Sequence, residues 1–143
     1  MTGAGPPRGG EGGSITLWML GLCMVVLFLG GISLDLWRVF TARRDLAGWV
    51  DGAAVAGASA IDEDVWRATG TAQLDPAAAQ QRACGYLASH AEPFPGCGGV
   101  RATASVIEVA ASRQVQLTLM GILMPGQPPL TIDVAARVEP RST

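Results

Sequence analysis

Few side chains in this sequence could do chemistry. It holds three cysteines and one histidine among 143 residues. Cys84 falls in a helical pattern and Cys97 in a Pro/Gly-rich loop just beyond it. A disulfide between them would close a short loop and pin it to the helix, adding about 3 kcal/mol by the chain-entropy model. Two free thiols are the alternative. A metal site is the other, and it is short of ligands because His90 is the only histidine. Cys23 sits inside a long apolar run with no evident partner. No G-x-S-x-G, P-loop or dinucleotide fingerprint occurs. Gly96-Cys97-Gly98-Gly99 is not followed by a helical pattern, so it does not read as a phosphate cradle. His90 lies next to a helix end and reads as a terminal or packing residue. The expectation is a protein without catalytic, cofactor or metal residues.

The elements that position these residues begin with a membrane segment. No charge occurs between Glu11 and Asp35, and the 23 residues from Gly12 to Leu34 are mostly apolar. At about 1.5 Å per residue such a run crosses a bilayer core of roughly 30 Å. Trp18 and Trp37 stand near its two ends, as an aromatic belt places them. The apolar region is longer than a secretory signal uses, and no A-x-A site follows it. Leu22 before Cys23 is too large for a lipobox. Arg38, Arg43 and Arg44 follow the run and Arg8 precedes it, a count that favours a cytoplasmic C-terminal side. A disulfide would put that side in an oxidising compartment instead.

Beyond Leu34 the helical pattern continues without proline to about residue 60. Leu46, Val50, Ala53 and Gly57 recur at helical spacing. Gly48, Gly52, Ala56 and Ala60 form a second row four residues apart, which lets another backbone approach closely. The row fits either this chain's own domain or a partner helix. One helix over 14–60 would be roughly 70 Å long.

The rest is a small α+β domain. Residues 61–75 read as a linker whose Asp62-Glu63-Asp64 patch is a solvated loop. Asp75-Pro76 starts a helix over 76–90, with Asp as cap and Pro at the first position. Its apolar face is Ala79, Ala83, Tyr86 and Leu87. Three strands of an antiparallel meander follow, around 100–109, over 113–119 and over 130–138, with turns at Ala111-Ser112 and at 125–129. The expected architecture is a polar segment at 1–13, a long helix at 14–60 (transmembrane over 14–36), the linker, and a small domain over 76–143 outside the bilayer. All ten basic residues are Arg, against twelve acidic ones, for a net charge of -2. That gives no electrostatic case for nucleic acid. With so much Ala, Gly and Val, the composition resembles that of a high-GC bacterial sequence.

Three stretches carry a resemblance: Gly12-Gly13-Ser14, then Gly31-Ile32-Ser33-Leu34-Asp35-Leu36, then Val50-Asp51-Gly52-Ala53-Ala54-Val55-Ala56-Gly57-Ala58. In this order they resemble the N-terminal segment of the TadE/TadG-like proteins of Tad (Flp) pilus-assembly systems. The resemblance implies a non-enzymatic minor pilin-like or assembly component of a pilus or related secretion system, with the N-terminus cytoplasmic. It implies as partners membrane lipid and other pilus-assembly proteins, met through the long helix. Gly13-Ser14 marks the position of possible prepilin processing, where the fifth residue onward is Trp18 rather than the usual Glu. The alternative is an anchored extracytoplasmic binding or sensory module. The resemblance singles out Asp35 and Asp51. Sixteen residues separate them, about 160° around a helix, so they cannot share a proton as a pair. Asp35, with Arg38 and Arg43 nearby, is expected to fix the helix at the interface. Asp51 with Gly48, Gly52 and Ala56 is expected to form an assembly contact.

Overall fold

The computed structural model describes residues 12–140. Helix α1 is one uninterrupted α-helix, Gly12–Ala58, of 47 residues. At 1.5 Å per residue it is about 70 Å long. No proline interrupts it, and Ser33 returns its hydroxyl to the Leu29 carbonyl at 2.8 Å. Its two halves face different surroundings. Ile15 to Leu34 is exposed around the helix except at Gly31, which is half-buried. From Ala42 onward one face is buried, through Ala42, Leu46, Val50, Ala53 and Ala54. Spacings of four and three put these residues in one stripe.

The stretch after α1 is not a plain linker. Glu63–Thr69 forms a short helix, α2. The reason is local: the Asp62 carboxylate accepts from the Asp64 and Val65 amides at 3.1 Å. Glu63 and Asp64 then sit in the first turn, where the helix dipole favours acid. Gly70, at φ 70°, closes the helix in the left-handed conformation that glycine adopts without strain. The acidic patch is therefore a helix start rather than a loop. Helix α3 runs Pro76–His90, with the Asp75 side chain accepting from the Ala77 and Ala78 amides. It buries Ala79, Ala83 and Leu87, and Arg82 holds the Ser59 carbonyl at the end of α1 at 3.0 Å.

The sheet is an antiparallel meander of three strands in the order β1-β2-β3. These are β1 (Val100–Ala102), β2 (Ile107–Val115) and β3 (Leu130–Val138). The expected third strand lies where the alternation places it. Ile132 is buried and Val134, Ala136 and Val138 half-buried on one face. The middle strand differs from expectation in two ways. Ala111 and Ser112 are not a turn: they lie inside β2, paired with Val134 and Asp133. Their small side chains fit the pleat, and a nine-residue register with β3 outweighs their turn tendency. The turn falls at Thr103–Val106, where the Thr103 amide donates to the Val106 carbonyl at 2.8 Å and the Thr103 hydroxyl accepts from the Val106 amide. The second difference is at the far end. The strand expected to reach residue 119 stops at Val115, and Thr118–Leu123 forms a further helix, α4.

The core lies where α1, α3 and the inner face of the sheet meet, around the fully buried Leu46, Val50, Leu87, Ile107 and Val109. Close approach of α1 to α3 depends on Gly57. A Cβ there would run into Ile107 Cδ1 and come within 2.9 Å of the Ala79 carbonyl oxygen. Gly57→Leu is expected to destabilise the domain by about 1–3 kcal/mol through overpacking, read by thermal unfolding in detergent. An unchanged melting temperature would show that the helices can separate there at no cost.

Candidate functional site

The residues that could do ordinary chemistry are occupied structurally. His90 stacks on Tyr86 with ring centroids 4.2 Å apart, and its Nδ1 lies 2.7 Å from the Ser89 hydroxyl. Cys84 and Cys97 are joined in a disulfide, with Cα atoms 5.5 Å apart. It ties the loop after α3 back onto that helix. Cys23 is exposed on the apolar half of α1. Among the described residues no group of His, Cys, Asp and Glu is placed to hold a metal. The informative residues lie along α1.

Asp35 is the one buried charged residue among those described, at 7% exposure. Its partners are not an arginine one turn away but the first turn of α4. Oδ1 accepts from the Thr118 amide at 2.9 Å. Oδ2 accepts from the Leu119 and Met120 amides at 2.8 and 3.3 Å. Helix α4 has Leu117 at its N-cap position and no side-chain cap of its own. Its free N–H groups, which any helix start leaves unpaired, are thus met by a carboxylate 83 to 85 residues earlier in the chain. Arg38 adds a hydrogen bond from its guanidinium to the Thr118 hydroxyl. One turn below Asp35, the Leu119 side chain lies over Gly31, where an added Cβ would come within 2.9 Å of it. Gly31, Asp35 and Arg38 thus form one dock for α4. The dock is not visible in the sequence around Asp35 because its other half lies 83 to 85 residues away. A signal was present in the chain: no charge occurs between Arg113 and Asp133.

The small-residue row splits between two directions. Gly52 lies under Tyr86 of α3, and a Cβ there would be 2.5 Å from the phenol oxygen. Ala56 is half-buried and Ala60 buried. Gly48 faces open space, with nothing within 4 Å of an added Cβ. Asp51 and Val55 are exposed on the same side. Arg113 lies over the Trp49 ring, 5.6 Å from its centre, and covers the neighbouring face.

Trp18 and Trp37 are exposed on α1. Nineteen residues apart, they are separated by about 28 Å along the helix, close to a bilayer core. Gly13 and Ser14 lie in the first turn of α1. Among the described residues α1 is the helix long and apolar enough to cross a membrane, and its most apolar window is not buried by protein.

Two outcomes follow. Asp35→Ala should leave α1 helical and speed hydrogen exchange of the Thr118, Leu119 and Met120 amides several-fold. Asp35→Asn, which keeps one carbonyl oxygen of the two acceptors, should fall between. Unchanged exchange in the alanine variant would mean that the carboxylate does not hold this turn. Replacing Cys84 and Cys97 together by serine should cost about 2–4 kcal/mol in denaturant unfolding, and wild-type protein should lose the same amount on reduction.

No curated protein and no solved structure matches the chain. A family model does match, over residues 13–60, about a third of the chain and nearly the whole of α1. That family is described as "Putative Flp pilus-assembly TadE/G-like" (Tad), the one whose pattern the sequence of this helix resembles.

Proposed function

We propose that this protein is a non-enzymatic membrane-anchored component of a Tad/Flp-type pilus or related secretion apparatus, acting as a minor pilin-like or assembly subunit. The observation that carries the reading is the Tad match over 13–60, laid on one unbroken helix that is apolar all round at its start and one-sided at its end. Such a helix can hold a domain at a membrane and also offer a surface to neighbouring helices. The topology that fits has the N-terminus in the cytoplasm and the domain outside. The Cys84–Cys97 disulfide supports it, since disulfides persist in oxidising compartments. It outweighs the arginines that follow the span, because the charge count is a statistical bias.

Within this reading the assembly contact is centred on Gly48 and Asp51, with Val55 alongside. Gly52 and Ala56 border it and lean toward α3. Gly48→Leu therefore tests the contact more cleanly than Gly52→Leu, which would strike Tyr86. By helix propensity alone Gly48→Leu should stabilise α1 by about 0.5–1 kcal/mol. Pull-downs from native membranes should recover the wild-type chain with other pilus-assembly proteins. Gly48→Leu and Asp51→Ala should insert normally and lose that recovery. Full recovery with both variants would remove the contact. If the wild-type chain brings down no pilus component at all, it is an anchored binding or sensory module instead.

A further inference from the structure

The apolar run of α1 ends at Leu34, yet the soluble domain reaches below that point. Leu119 of α4 packs over Gly31, three residues and about 4.5 Å inside the run. Asp35 holds the start of α4 at the same level. The path down is built by β2. Arg113 lies beside Trp49, and the strand descends antiparallel to α1 until Thr118 meets Asp35. Five residues of extended chain cover about 17 Å, and the fourteen from Trp49 back to Asp35 cover about 21 Å of helix. Any segment seated on Gly31 shares the depth of Gly31 once α1 is inserted.

What is carried to that depth is apolar. The nineteen residues 114–132 contain no charge. Within them Ile122 is 74% exposed, and Met120, Leu123 and Met124 about half exposed. These side chains leave about half or more of their surface open, as Ile32, Leu36 and Trp37 do near the same level of α1. Backbone at this depth must have its polar groups met without water. Asp35 accepts three amides of α4, the Gly121 and Met124 amides bond back to Leu117 and Met120, and Pro125, Pro128 and Pro129 have no N–H to satisfy.

We propose that residues 119–124 are a second membrane contact: α4 lies in the outer leaflet boundary beside the transmembrane helix, its Ile122, Leu123 and Met124 side chains among lipid acyl chains. The domain would then be fixed in height and rotation on the membrane rather than free to swing about a single helix. The proposal rests on the membrane reading of α1 and, for the leaflet, on the topology proposed above. It asks nothing of the pilus assignment.

Site-directed spin labelling of the full chain tests it in vesicles of phosphatidylethanolamine and phosphatidylglycerol. Cys23→Ser removes the free thiol, and labelling without reductant keeps the Cys84–Cys97 bridge closed. One label is placed at Ile122→Cys, one at Leu22→Cys within the span, and one at Ser105→Cys in the β1–β2 turn. At 122, accessibility to oxygen relative to a water-soluble nickel complex should resemble that at 22 and exceed that at 105 several-fold. A ratio at 122 equal to that at 105 overturns the proposal. Protection of 122 from both reagents also overturns it, because a protein, either a second copy or a partner, then covers α4. A label at 22 that meets the nickel complex would overturn the anchor reading and this proposal together. A lipid-like ratio at 22 with a water-like ratio at 122 would remove this proposal alone.

Discussion

Without α1 the domain has no closed core. Leu46, Val50, Ala53 and Ala54 form the wall on which α3 and the inner face of the sheet meet. The domain is small, and a chain of this size buries a limited share of its surface. Anchor and core therefore share one rigid rod. Because α1 is continuous from the membrane segment into the core, the domain cannot shift along or around the helix without losing its own packing. Glycine makes this possible at the two places where α3 comes closest. Gly52 admits the Tyr86 ring, and Gly57 admits Ile107 and the α3 backbone. Their propensity cost, about 1 kcal/mol each against alanine, is offset by the apolar burial they allow.

Asp35 fits the same logic. A carboxylate at the end of a membrane helix is costly if unpaired. A helix start with no cap leaves N–H groups unmet. Each defect supplies what the other lacks, since the two oxygens take three amides. Charge-assisted bonds to a carboxylate are among the stronger hydrogen bonds, and here they tie the far end of the sheet to the base of the domain. The disulfide does comparable work at the opposite end, where the loop after α3 has little buried side chain to hold it.

The exposed surface divides in the same way. It is apolar on the first half of α1 and on α4. Over residues 46–58 of α1 the open strip is narrow and built from Gly48, Asp51 and Val55. α3 and the sheet cover most of the rest of that stretch. A helix segment that gives most of its circumference to its own domain keeps one definite side open.

The sequence by itself determined the anchor, the continuous helix, the cap and extent of α3, the third strand and the α+β class. Each depends on period, caps or an absence of charge within a short window: Gly12–Leu34, Asp75-Pro76, and the alternation from 130 to 138. Even α2 was locally encoded, by Asp62 ahead of Glu63 and Asp64, though the acidic cluster read more simply as loop. Tertiary structure decided the rest. Ala111 and Ser112 became strand because β3 supplied a matching ladder. Thr118 and Leu119 became helix because Asp35 and Gly31, more than 80 residues earlier, offered acceptors and a seat. Gly48 and Gly52 have the same side chain in the same row, but only the fold puts Tyr86 over one and open space over the other. Local pattern fixes what depends on neighbours in the chain; partners brought together by folding decide which polar group is met and which face stays free.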